Sequence, residues 1–193
     1  MITHNHLQVR QSPLGLQSQP AVWLLGARGG VGVTTLTSFW AGWAADSRRE
    51  WPCGNARSAE SPYVVLVARE TIDGLQAAHE LLMQHGAAQL ECEILGLITI
   101  AASRELPKPV RQYREIVSAA VESAGGSVWT IGWHKHLPAT DNRKLQPWHP
   151  HDGLPAANHR PSSEEPPADV IAAGSGIVAA IQQSLPRVYR CAS

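Results

Sequence analysis

Residues 26–35 read Gly26-Ala27-Arg28-Gly29-Gly30-Val31-Gly32-Val33-Thr34-Thr35. An apolar run, Ala21–Leu25, precedes them, and an apolar-periodic stretch, Leu36–Ala45, follows. This succession predicts a strand, a Gly-rich loop and a helix. Clustered glycines let backbone N–H groups converge on an anion. The start of the next helix adds partial positive charge, and a Ser or Thr hydroxyl is placed to hold Mg²⁺. The loop keeps its glycines and threonines, but Val33 stands where a phosphate-gripping lysine belongs.

Working outward, the pattern repeats. Val22–Leu25 predicts a short buried strand, and Thr34–Asp46 a helix with Leu36, Phe39, Trp40 and Trp43 on its apolar side. After a loop at Ser47–Pro62, the run Tyr63–Ala68 (YVVLVA) predicts a strand covered on both faces. Thr71 or Asp73 caps a helix to about Gln84, which Gly86 stops. Ile94–Ala101 is a further strand of the same kind. Pro109 opens another helix, in which Val110, Tyr113, Val117 and Val121 recur at helical spacing and Gly125-Gly126 ends the run. Ser127–Trp133 is the last strand. The order β-α-β-α-β-α-β, with apolar strands and amphipathic helices, implies a mostly parallel sheet with right-handed crossovers and helices on both faces. Ligands of such sheets sit at the carboxyl ends of the strands, where the Gly26–Thr35 loop falls.

The chain has 193 residues, enough for one domain with a core. It is 44% hydrophobic and 17% charged, with sixteen basic residues balancing sixteen acidic ones. That balance excludes a global field for nucleic acid or membrane surfaces. Three widely spaced cysteines, Cys53, Cys92 and Cys191, suggest a reducing compartment. With no apolar leader at the N-terminus and no long apolar run, the expected location is the cytoplasm.

Arg28-Gly29-Gly30-Val31-Gly32-Val33-Thr34-Thr35 resembles the deviant Walker A motif, K-G-G-x-G-K-[ST]-[ST], of the ParA/MinD family of P-loop ATPases. The resemblance places the family's signature lysine, which reaches across a dimer to the partner's nucleotide, at Arg28. The lysine that binds the β and γ phosphates falls at Val33. The family's Walker B strand ends in an acid, whereas Tyr63–Ala68 is followed by Arg69, with Glu70 next. The short Ser47–Pro62 interval leaves no room for the family's switch regions. The resemblance therefore implies an α/β, three-layer P-loop-like domain with a mostly parallel sheet, reduced relative to a full ParA/MinD fold. Its loop residues Arg28, Gly29, Gly30, Val31, Gly32, Val33, Thr34 and Thr35 are the expected nucleotide- or phosphate-binding set, with ATP or ADP and Mg²⁺ the implied cofactors. Three readings of the loop stay open: hydrolysis, anion binding without turnover, and a structural Gly turn. The blocks Val33–Leu36, Val64–Arg69, Leu95–Ala101, Leu106–Pro109 and Val128–Trp133 also resemble small P-loop-like proteins of actinobacterial conjugative and integrative elements. That likeness implies an accessory role beside a DNA-transfer or partition ATPase, with a protein partner and a homodimer as the expected associations.

Other residues are candidates on their own chemistry. Arg69, Arg104 and Lys108 stand at or just beyond strand ends and are candidate anion contacts, with Arg111 behind them. Three His-x-His pairs, His4/His6, His134/His136 and His149/His151, are spaced to share a metal on a strand. They have no companion ligands at the required spacing, so no metal ligand is assigned. No residue is assigned a catalytic role, and the cysteines have no activating neighbours in sequence. Of seven tryptophans, Trp133 and Trp148 are the candidates for a partner surface. The expected organisation is a flexible arm at 1–19, the α/β domain at 20–137, a Pro/His-rich irregular segment at 138–167, and a C-terminal helix and tail at 168–193.

Overall fold

A computed structural model describes residues 6–16, 18–53, 60–153 and 162–190, the last helix without its side chains beyond Ser184. Five strands form one sheet: β1 (Val22–Gly26), β2 (Ala44–Asp46), β3 (Tyr63–Arg69), β4 (Glu93–Ile100) and β5 (Ser127–Ile131). Their order is β2-β1-β3-β4-β5, and every pair is parallel. Four helices cover it: α1 (Val33–Phe39), α2 (Ile72–Ala88), α3 (Lys108–Ser123) and α4 (Ala168–Arg190). The chain is a three-layer α/β domain, as the strand patterning requires.

Alternation along the strands divides the core into two halves. Val22, Leu24, Val65, Val67 and Ile98 face α1 and α4, whereas Trp23, Leu25, Val64, Leu66 and Leu97 face α2 and α3. Each Leu or Val fully removed from water on these faces contributes about 1.5–3 kcal/mol, so the sheet's inner strands dominate the stability. The cap of α2 is Thr71, whose hydroxyl accepts the Gly74 N–H at 3.0 Å. The αL residue Gly125 (φ 87°) ends α3, and the Gly126 N–H returns to the Val121 carbonyl at 3.0 Å.

Three expectations about elements are corrected. The helix expected over Thr34–Asp46 stops at Phe39, and Ala44–Asp46 forms the edge strand β2 beside Val22–Leu24. Gly42, at φ 89°, turns the chain between them. Trp40 and Trp43 are buried in the turn, which continued the apolar rhythm of the helix without helical backbone. Gly86 does not stop α2, which runs to Ala88 with Gln89 in the left-handed conformation. Trp148 is buried rather than on a partner surface, its ring edge-on to Trp43 at 6.2 Å, whereas Trp133 is 39% exposed.

The flanking segments are more packed than composition suggests. Leu7 is buried, its backbone exchanges hydrogen bonds with the Gln84 side chain, and Val9 bridges to Trp51 beside the sheet edge. Arg10 is buried, pairs with Glu60, donates to the Ser47 carbonyl at 2.7 Å and lies over the Trp23 ring. His6–Arg10 of the segment 1–19 is thus packed against the domain; Met1–Asn5 lie outside the described residues. The irregular segment from Leu137 to Gly153 has three short 3₁₀ turns and buries Leu145 and Trp148 against α1 and α4.

Candidate functional site

The Gly-rich loop leaves β1 at Gly26 and enters α1 at Val33. Gly30 and Gly32 have φ of 74° and 103°, a conformation that side chains rarely adopt, so these two glycines shape the turn. Gly32 caps α1 without a side-chain hydrogen bond, leaving the first-turn amides for solvent or a ligand. The turn sits at the carboxyl edge of the parallel sheet, where the sequence places it.

The side chains depart from a phosphate-gripping loop. Val31 and Val33 are both buried in the core against β1, so the position that the motif resemblance aligns with a lysine is an apolar plug. The Arg28 guanidinium lies 3.6 Å from the Asp73 carboxylate at the start of α2, and both side chains are largely exposed. Thr34 is exposed, and the Thr35 hydroxyl donates to Asn142 Oδ1 at 3.2 Å. Gly29 has open space around it.

A cleft of about 240 Å³ opens beside the turn. Gly30, Gly32 and Thr35 form one wall, Leu36, Phe39, Ile100 and Ile131 an apolar floor, and Arg69, Trp133 and His134 the polar and aromatic rim. Of the candidate anion contacts, Arg69 faces this cleft. Arg104 does not: it lines a neighbouring groove with Arg111 and Arg114, and Lys108 lines neither opening. Arg28 is likewise outside the lining.

Two polar networks escaped the sequence reading. His134 Nε2 lies 2.9 Å from both Asp169 oxygens, and Asp169 also accepts the Gly132 N–H at 2.8 Å. Burial pushes the Asp169 carboxyl up, but the His134 and backbone hydrogen bonds outweigh it and hold the group below its ordinary value. At the end of β3, the buried Glu70 takes the Thr99 hydroxyl at 2.9 Å and the Arg114 guanidinium at 2.8 Å on the same oxygen. The carboxylate that follows β3 is therefore occupied by a cation of the same chain. Neither pairing had a sequence signal, because each spans tens of residues and joins different elements.

Among the described residues the members of the histidine pairs meet different partners. The His134 and His136 rings lie tilted by 60° with centroids 5.9 Å apart, His149 pairs with Asp152, and His6 meets Gln84. His4 lies outside the described residues. Among the described residues no group of three His, Cys, Asp or Glu side chains is placed to hold a metal ion. No helix among them is long and apolar enough to cross a membrane.

These features define an α/β protein whose Gly-rich turn opens on a cleft at the carboxyl edge of a parallel sheet. Residues 20–142 match the family described as "Family of unknown function (DUF6668)", and the chain belongs to that family. Neither curated proteins nor solved structures gave a match.

Proposed function

We propose that the protein is a non-hydrolytic binding module that takes a small nucleotide-class anion at the Gly30–Gly32 turn. The observation that carries this reading is the shared cleft: the turn, Arg69 and His134 line one opening over an apolar floor. Such a mix of apolar lining and few polar groups is typical of small-ligand sites, whose volumes run from about 300 to 1,000 Å³. At about 240 Å³ the cleft suits a fragment of a nucleotide better than a whole triphosphate. Weak affinity follows.

The absence of turnover rests on two features. Val33 is buried where the phosphate clamp would be, and Glu70 is held by Arg114 and Thr99 rather than free for Mg²⁺. An active ParA/MinD-like ATPase would need Arg28 to replace the lysine, yet Arg28 leans toward Asp73. The accessory place beside a DNA-transfer or partition ATPase is proposed on the motif resemblance, with a protein partner and a homodimer as its expected forms.

Titration of the full chain with ATP, ADP and AMP, with and without Mg²⁺, tests the reading alongside a phosphate-release assay. Saturable binding at high micromolar to millimolar nucleotide, weakened by Arg69→Ala and without phosphate release, is expected. Turnover that Gly32→Asp and Arg28→Ala abolish would establish the ATPase instead. No binding at millimolar nucleotide would leave the loop a structural turn.

A further inference from the structure

The carboxyl edge of the sheet has a second opening, which shares Ala101, Gly132 and Trp133 with the first. Arg104, Arg111 and Arg114 line it, with Glu70 and Glu105 as the acidic members. Three guanidiniums thus meet two carboxylates. One carboxylate is already spent, because Glu70 is bonded to Arg114 and its side chain is 3% exposed. That pair fixes Arg114, itself 28% exposed, and leaves further N–H donors of its guanidinium unused by Glu70.

The other two arginines differ. Among the described residues neither Arg104 nor Arg111 has an acidic partner at ion-pair distance, and Arg111 reaches only the Leu106 carbonyl at 3.5 Å. Arg111 and Arg114 are three apart on α3, a spacing at which like charges repel. An anion between them relieves that repulsion. Guanidinium forks match the oxygens of a phosphate bidentately, and beside them Trp133 presents an exposed ring on which a planar body can stack.

We propose that this arginine-lined groove is an anion site separate from the Gly-rich turn, and that it takes a phosphate monoester whose planar body stacks on Trp133. The site does not depend on the turn holding a ligand. It places Arg104 and Arg111, read from the sequence among the candidate anion contacts, at an opening of their own.

The test is an amide-resolved NMR titration of the full chain with inorganic phosphate and then AMP. Phosphate shifts the amides of residues 103–114, and AMP binds at least several-fold more tightly than phosphate. The exposed double variant Arg104→Ala/Arg111→Ala weakens both by about ten-fold or more per lost guanidinium contact. Trp133→Ala keeps the phosphate affinity and removes the advantage of AMP. Shifts confined to residues 29–35, an unchanged affinity in the double variant, or no saturable response at tens of millimolar would each overturn the site. Shifts at 29–35 that the double variant leaves intact report on the turn instead, so the two sites are read apart.

Discussion

Val33 packs against Gly26: its Cγ2 atom lies 3.1 Å from where a β-carbon on Gly26 would stand, and Val31 Cγ2 lies at the same distance. The two valines close over the end of β1 as an apolar lid. Gly26→Ala forces both to give and costs about 1–3 kcal/mol. Val33→Lys puts a cationic chain into that packing at a comparable cost of about 1–3 kcal/mol. It also yields no phosphate release, since Glu70 stays engaged. Urea denaturation and a phosphate-release assay check both variants.

Arg28 and Arg69 separate in their effects. The Arg28–Asp73 pair is largely exposed at 3.6 Å, so Arg28→Ala shifts stability by no more than about 0.5 kcal/mol and leaves anion affinity unchanged. Arg69→Ala weakens it, because Arg69 lines the cleft. Paired thermal melts and nucleotide titrations compare the two.

The helix glycines of α4 are space-makers. A β-carbon at Gly176 would lie 2.2 Å from Trp129 Nε1, and one at Gly174 2.7 Å from Trp148 Cζ3. Alanine at either position gains about 1 kcal/mol of helix propensity, which the clash with a packed indole exceeds. Gly176→Ala therefore lowers the melting temperature by several degrees, with a net loss of about 1–3 kcal/mol. A rise in melting temperature would show that α4 does not seat on Trp129.

Asp169 gives the fold an acid-sensitive contact. Its carboxyl is held below the ordinary value of 3.8, so its contribution is fully present above that value and is lost as pH falls through the lower folded value. Asp169→Asn is less stable than the parent at pH 7, and the gap between them narrows as pH drops below about 3.8. Urea midpoints at pH 7 and across the acid limb measure the convergence.

Burial pushes the Cys92 thiol up to about 12, so almost no thiolate forms near neutral pH. Cys92 is expected to resist iodoacetamide in the native protein at pH 8 and to label only as the chain unfolds. Mass-spectrometric mapping of the labelled site follows this directly. Prompt native labelling at Cys92 would contradict its burial between β4 and α2.

Sequence periodicity carried the sheet. Tyr63–Arg69 and Glu93–Ile100 were legible because strands buried on both faces need unbroken apolar runs; the edge strand Ser127–Ile131, exposed at Ser127 and Thr130, carries a weaker form of that signal. The three-residue strand β2 was not legible. Its identity comes from pairing with β1, and the buried tryptophans before it extend a helical rhythm. Glycines inside a helix cost propensity, and the indoles opposite Gly174 and Gly176 in the folded chain explain their presence.

The sequence by itself determined the parallel α/β order, the Gly-rich turn at its carboxyl edge and the presence of valine at position 33. These are local properties: strand runs, clustered glycines and residue identity. Only the tertiary structure decided which charges meet. It sent Arg28 to Asp73 and Arg114 to Glu70, and it brought His134 onto Asp169 beside the cleft. It gathered Arg104, Arg111 and Arg114 around a groove of their own. Partners that lie tens of residues apart are chosen by how helices seat on the sheet, and one-dimensional spacing holds no record of that distance.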